Sequence, residues 1–563
     1  MKRIWAFCLL CFLVGLLFGC TYIAQNDGTV FSSTTPLLDT KPPTTQKATQ
    51  LPTHIPTSPE PTMTQPAPMG ILLSLTLSKA DNPTLAQDLE FIIDEQAATA
   101  TLTLTYQYYA DLATLSDAQL TALCENGIAN FTCQTNHGVN LMNGAKCIIT
   151  DENGTERVYE LVVDRTVYQL PIVNITLSDG KQAGQIHREK TTEMTFSLDC
   201  SGTEDFASLD PIAGTIRGRG NSTWKWAKKP YRIKLSDNVS LLGLDSNKDW
   251  ILLANYVDKS LIRNTLAYEM GRVLDNISWS PHQYPVDLFI NGVYQGVYSL
   301  GEHMEVASGR VELTEDMEAD TGFLIEIGGV ETAEGLNRYY FHTDHYLVRY
   351  AAFKAPDTDT ITKAQREFIM DYFQKAEDAI MAGKGYEKYI DVDSFIDWIL
   401  LYELSYNMDC CFRRSCFLTK EKGEKLKMGP IWDFDLAFGN FSVDNKYYND
   451  LITVGSNKSG AYIWENWCTY LMEDPEFCER LYQRWKEIRD PLLDHAFAVI
   501  NTYSALLDGS QQENFQVWQI WDKRVGYQSS WCKNANTYEK QIAYLKDFLE
   551  KRAAWMDKNL PRG

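Results

Sequence analysis

Apolar and polar positions change rhythm twice along this chain. Over residues 70–165 they alternate in short runs, as in Ile71-Leu72-Leu73-Ser74-Leu75-Thr76-Leu77 and Ala100-Thr101-Leu102-Thr103-Leu104-Thr105-Tyr106. A period of two predicts half-buried strands. The runs 145–150 and 158–163 flank Asp151-Glu152-Asn153-Gly154, and Asn-Gly between such runs predicts a hairpin. Strand patterns continue at 168–177, 192–198 and 228–235, and at 286–290 and 296–300 around the turn Asn291-Gly292. One helix is predicted over 258–274, with Asp258 as its N-cap.

Beyond about 360 the helical period takes over. Residues 363–381 carry an apolar stripe at Phe368, Tyr372, Ala376 and Ala379. Residues 395–404, with Asp393 as the cap, are apolar nearly all round, which predicts a buried helix. Further helices are predicted at 473–507 and 537–559. The pattern divides the chain into a strand-rich module at 70–165 and a larger domain, 166–563, whose strands precede its helices. The fold class is α+β.

The first residues read as an address. Lys2 and Arg3 precede an apolar stretch over 4–18, too short and too early for an ordinary spanning helix. It ends Leu17-Phe18-Gly19-Cys20, which resembles a bacterial lipobox. That resemblance implies a signal peptide at 1–19 and a diacylglycerol on Cys20, so that the mature protein is lipid-anchored on the extracytoplasmic face of the cell membrane. A plain signal peptide with a chance cysteine is the alternative. Residues 20–69, rich in Thr, Pro, Ser and Gln, predict an extended tether that cannot bury a core.

Charge and cysteine content narrow the rest. The formal net charge is −22, with no basic stripe, which disfavours nucleic acid as a partner. The cysteines after Cys20 form no metal-type spacing. Cys124 and Cys133 are a possible disulfide that spacing alone does not establish.

The candidate chemistry lies in two acidic segments, Asn407-Met408-Asp409 and Trp432-Asp433-Phe434-Asp435-Leu436-Ala437-Phe438-Gly439-Asn440. A hairpin with its polar tip at 420–427 and its turn at Gly423 would bring them to one cleft. Phosphoryl transfer needs two such carboxylates, one for the attacking hydroxyl and one for the metal. If extended, Asp433 and Asp435 point the same way; otherwise Asp435 caps a turn. A glycine-rich stretch, Arg217-Gly218-Arg219-Gly220-Asn221-Ser222-Thr223-Trp224, would let backbone amides approach phosphate, with two arginines for charge. Lys234 follows on a strand, with Lys228, Lys229 and Arg232 as competitors for a phosphate contact. Glu269 shares a helical stripe with Ile262, Leu266 and Val273; on a buried stripe it needs a partner, for which Lys234 is the natural one, and on the stripe's edge it is partly solvated or paired with Arg263 or Arg272. His303 has no second ligand at a metal spacing and reads as a surface or hinge histidine.

Together with Lys229-Pro230-Tyr231-Arg232-Ile233-Lys234-Leu235, these motifs resemble the spore coat protein H (CotH) kinase family over roughly residues 168–560. The resemblance implies an atypical, bilobal protein-kinase-like domain that uses ATP and Mg²⁺ or Mn²⁺ to phosphorylate serines of a protein substrate. It implies Asp409 as base with Asn407 beside it, and Asp433 as metal ligand with Asp435 available. It further implies Arg217, Arg219 and Lys234 at the nucleotide, with Glu269 orienting the lysine. The protein-kinase loop has an asparagine five residues after its aspartate, where this chain has Arg414. A second metal ligand would then come from Asn407, Asp435 or Asn440. The 70–165 module resembles bacterial immunoglobulin-like β-sandwich spacers. The rival function is a cell-surface binding or structural protein with degraded catalysis. A glycosidase using Asp433 and Asp435 is disfavoured, because residues two apart rarely give opposed carboxyls about 5 Å apart.

Overall fold

The computed structural model describes residues 69–563, apart from 105–111, 166–168, 204, 329–339, 442–448 and 455–464. The expected signal peptide, Cys20 and the tether lie outside the described residues.

The first module is built from β1 (Ile71–Leu77), β2 (Leu89–Glu90), β3 (Ile92–Asp94), β4 (Thr99–Leu104), β5 (Leu120–Glu125), β6 (Ile128–Phe131), β7 (Lys146–Thr150) and β8 (Glu156–Arg165). They form two sheets, ordered β2-β1-β5 and β3-β4-β8-β7-β6. Alternation supplies the shared core, since Leu75, Leu102, Cys147 and Tyr159 all turn inward. The expected hairpin is β7–β8, closing with Thr150 opposite Glu156. Its turn is tied by the Asp151 carboxylate, which accepts the Asn153 and Thr155 amides at 2.9 and 2.8 Å. Cys124 and Cys133 are free thiols, so the possible disulfide is not formed.

The next strands close into a barrel. They are β9 (Ile172–Leu177), β10 (Thr192–Asp199), β11 (Leu209–Gly218), β12 (Tyr231–Val239), β13 (Asn247–Leu253), β14 (Gln283–Ile290) and β15 (Val293–Glu302), in the order β10-β11-β12-β13-β15-β14-β9. Along β12, Tyr231, Ile233 and Leu235 are buried while Lys234 is exposed. Arg232 and Lys234 therefore share the outer face, as the alternation requires. Outside the barrel a second sheet runs β17 (Tyr340–Phe341), β18 (Ala351–Ala355), β16 (Phe323–Ile327), β19 (Cys416–Lys420), β20 (Lys427–Met428). β19 and β20 are the hairpin expected between the acidic segments, with Gly423 at a φ of +75° in its tip.

Six longer helices complete the fold: α1 (Arg263–Arg272), α2 (Lys363–Met381), α3 (Val392–Ser405), α4 (Pro475–Leu506), α5 (Asp508–Val517) and α6 (Tyr538–Asn559). Helix α3 is buried throughout except at Asp393, in accord with its uniformly apolar sequence. Its cap is Asp391, which accepts the Ser394 amide at 3.1 Å; Asp393 instead pairs with Arg480 at 2.7 Å. Helix α1 starts five residues later than its pattern suggests. The Asp258 carboxylate accepts the Ser260 amide at 2.9 Å and the Arg263 amide at 2.8 Å. It thus organises a loop before the helix, in which Leu261 has a φ of +63°. Among the described residues no helix is long and apolar enough to cross a membrane.

Candidate active site

Both acidic segments follow buried structure directly. Helix α3 ends at Tyr406, whose φ of +50° turns the chain out of the helix. Asn407, Met408, Asp409 and Cys410 come next. The loop 432–440 leaves the β19–β20 hairpin and returns beneath α1.

That second loop is pinned through its backbone. The Asp433 amide donates to the Tyr268 hydroxyl at 3.2 Å, and the Phe434 amide to Asn264 Oδ1 at 2.7 Å, both residues being on α1. The Asp433 carbonyl receives Asn407 Nδ2 at 3.0 Å and the Cys410 thiol at 3.1 Å. Farther on, the Phe438 amide donates to the Ser405 carbonyl at 2.6 Å, and Arg263 Nε donates to the Ala437 carbonyl at 3.2 Å. Asp433 itself has a φ of +69°. A non-glycine residue in the left-handed region costs energy and persists only where its surroundings enforce it. Here those hydrogen bonds enforce it. Of the two readings of Asp433-Phe434-Asp435, the extended one does not hold: the loop turns left-handed at Asp433 and enters a turn at Asp435.

The carboxylates still converge. One ligand atom each from Asp409, Cys410 and Asp433 lies within 4.8 Å of the others. Burial, and then the Asp409 charge, push the Asp433 carboxyl up to about 6, against the Arg219 guanidinium and the Ser415 hydroxyl, which pull it down. Asp435 is raised well above the usual carboxylate range by burial and by Asp433 and Asp409. Carboxylates raised by crowding favour a cation that restores their charge. Oxygen donors of this kind suit a hard divalent cation. The Asn407 Oδ1, buried without a partner, is one more oxygen beside the cluster. Asp433 and Asp409 thus fit a magnesium-type ion, while Asp435 lies near enough to feel their charge but is not one of the converging ligand groups. Cys410 fits it poorly, because burial holds its thiol protonated and its proton is given to a carbonyl.

Asp409 has a further neighbour. Arg413 Nη2 donates to its Oδ1 at 3.1 Å, and Arg414 Nη1 lies 3.9 Å away. The place where protein kinases keep an asparagine is thus a second cation near the aspartate. Asn440 is fully buried, and its Nδ2 donates to the Asp435 and Val257 carbonyls at 2.7 and 2.8 Å. It braces the loop.

On the barrel side, Arg217 stands directly opposite Arg232 on neighbouring strands. Arg219 lies over the Trp432 ring, 5.6 Å from its centroid, and Asp433 is its strongest charged neighbour. The Gly218 amide donates to the His187 carbonyl at 2.7 Å and the Arg219 amide to the Pro230 carbonyl at 3.1 Å, so both are already used. Gly218 is needed for Trp224, whose ring would lie 2.3 Å from a Cβ at that position.

The Lys234–Glu269 pair does not form. Lys234 is 63% exposed, with Asp249 at 3.9 Å. Glu269 pairs with Arg272 one helical turn on and accepts the Tyr503 hydroxyl at 3.3 Å. Helical spacing placed Glu269 at the edge of its stripe, where the nearest cation is on its own helix.

Several residues that shape the site carry little signal in the sequence. Asn264 and Tyr268 look like helix filler and hold the acidic loop. Cys410 and Ser415 touch Asp433. His303, expected at the surface or a hinge, has its Nδ1 buried among arginines. The polar residues Asn264 and Tyr268 are visible in the sequence of α1, but their burial is not.

An α+β chain whose metal-suited carboxylates meet an arginine-bearing strand turn has the equipment of an anion- and cation-binding enzyme site. Residues 216–556 match the family model of the CotH kinase protein, and the chain belongs to the CotH kinase family. No curated protein matches it. The family is one of kinase-like function, with ATP and a divalent metal as its general requirements.

Proposed function

We propose that this chain transfers the γ-phosphoryl of ATP to serine hydroxyls of a protein, at the outer face of a bacterial cell membrane. The observation that carries the reading is the convergence of Asp409 and Asp433, with Arg219 beside Asp433. Asp409 accepts the hydroxyl proton, and Arg413 holds its carboxylate in place. Asp433 would hold Mg²⁺ or Mn²⁺, which supplies charge neutralisation to the nucleotide phosphates. Arg217 and Arg219 supply cations for the phosphates, and Trp432 keeps Arg219 oriented over its ring. In this reading the barrel and the helical half act as the two lobes of a kinase-like domain. The 70–165 module serves as an immunoglobulin-like spacer, and an acylated Cys20 serves as the anchor.

The binding-protein alternative has one observation in its favour: Lys234 and Glu269 do not pair. Incubating the full chain with labelled ATP, Mg²⁺ or Mn²⁺ and a protein acceptor decides between them. Wild type should transfer label. Asp409→Asn should bind metal–ATP and lose transfer by about 10²–10⁴-fold, the usual worth of general-base help. Asp433→Asn should lose metal-dependent nucleotide binding itself. A wild type that binds ATP and never labels any protein, itself included, makes the chain a binding module.

A further inference from the structure

The outer face of the barrel gathers an unusual amount of positive charge around one neutral ring. Arg217 and Arg232 stand opposite each other across β11 and β12, and Arg219 follows just past the end of β11, over the Trp432 ring. Arg310 comes in from the loop after β15. Its Nη1 donates to the His303 carbonyl at 3.0 Å, its Nη2 donates to the Asp249 carbonyl at 2.7 Å, and it lies 5.3 Å over the Trp250 ring. His303 Nδ1 is buried and has no hydrogen-bond partner. The charges nearest this ring are Arg232, Arg219, Arg310 and Arg217, which after burial hold the imidazole neutral.

The balance of charge is incomplete. Asp249 answers Arg232 at 2.6 Å, and Glu305 answers Arg310. Arg217 reaches only backbone carbonyls, Arg188 at 3.4 Å and Gly218 at 3.5 Å, and the Arg219 guanidinium stacks on Trp432. Neither has a carboxylate within ion-pair distance among the described residues. Like charges held together around a buried, unpartnered ring nitrogen are unfavourable unless an anion joins them. Guanidinium forks match phosphate oxygens in pairs.

We infer that His303, with Arg217, Arg219, Arg232 and Arg310, forms a phosphate-group site on the barrel face, and that these residues, not Lys234, are the principal phosphate contacts. His303 Nδ1 donates to a phosphate oxygen, and the unpaired arginines neutralise it. The use of this site in transfer rests on the kinase reading; its existence does not. The phosphate could belong to a nucleotide or to a phosphorylated serine of the protein product, and both share this chemistry.

Calorimetric titration of the full chain separates these cases. The probes are MgADP, inorganic phosphate, a phosphoserine peptide and adenosine, and the variants are His303→Ala and Arg219→Gln. Loss of one hydrogen bond to a charged group is worth about tenfold or more in affinity. Both variants should weaken MgADP and inorganic phosphate by that factor, leaving adenosine affinity and the far-UV spectrum unchanged. Weakening of the phosphoserine peptide alone would support the site with the product as its ligand. Unchanged affinity for every phosphate probe in both variants, or a wild type that binds none of them, overturns the inference. A wild type that binds MgADP through these residues and never transfers phosphate leaves the site standing and removes only the kinase reading.

Discussion

The acidic loops and the basic barrel face meet at Arg219 and Trp432, and they are held in place by opposite means. The acidic side is fixed through its backbone: Tyr268, Asn264, Asn407 and Arg263 bond the amides and carbonyls of residues 433–437. The basic side is fixed through its charges, with Asp249 on Arg232 and Glu305 on Arg310. The acidic carboxylates are thus left available to carry chemistry. Their loop keeps its shape whatever their protonation, because uncharged groups hold most of it. On the barrel face, Arg232 and Arg310 cannot be removed without leaving a carboxylate unpaired, whereas Arg217 and Arg219 have no carboxylate within ion-pair distance among the described residues.

The sharpest way to break this contrast is to unpin the loop. Arg263 is fully buried with Asp258 and also holds the Ala437 carbonyl. Arg263→Met leaves a buried carboxylate without its cation, which costs about 3–5 kcal/mol. Urea unfolding of the purified variant should show that loss. A destabilisation below about 1 kcal/mol would mean that the loop does not depend on this pair.

A second measurement tests the crowding of the carboxylates. Asp433 titrates at about 6 in the folded chain against 3.8 ordinarily. Between those values the folded, metal-free chain holds a proton that the unfolded chain has released. The metal-free chain therefore loses stability as pH rises through about 6. Saturating Mg²⁺ should reverse that slope, because the metal binds the ionised form, and its affinity should fall as pH drops below about 6. Melting curves across this range, with and without Mg²⁺, check both. Parallel curves would place the metal elsewhere.

The smallest effect is expected at Lys234. An exposed lysine 3.9 Å from Asp249 contributes about 0–1 kcal/mol. Lys234→Ala should therefore change MgADP affinity by no more than about twofold. A tenfold loss would return the lysine to the phosphate site.

Much of this was legible in the chain itself. Short-range physics defines it: the alternation along Tyr231–Val239 turned Arg232 and Lys234 outward, the apolar continuity of Val392–Ser405 buried that helix, and Gly423 marked the hairpin between the acidic segments. The helix Lys363–Met381 begins and ends where its pattern does, because its cap, Thr362, is the next residue in sequence. The ordered motifs likewise carry the family.

Tertiary structure decided what depends on partners far away in sequence. Closure of the strands into a barrel rests on pairing of β14 with β9, more than a hundred residues apart, and no local period encodes it. The left-handed turn at Asp433 is imposed by side chains from α1 and from the end of α3. Glu269 took the nearest cation on its own helix, because proximity outweighs a more distant charge. His303 acquired its surroundings only when β11, β12 and the loop after β15 came together. The sequence determined which residue types were present and which way most of them faced; packing determined which of them met, since hydrogen bonds and ion pairs act over a few ångströms and follow folded distance.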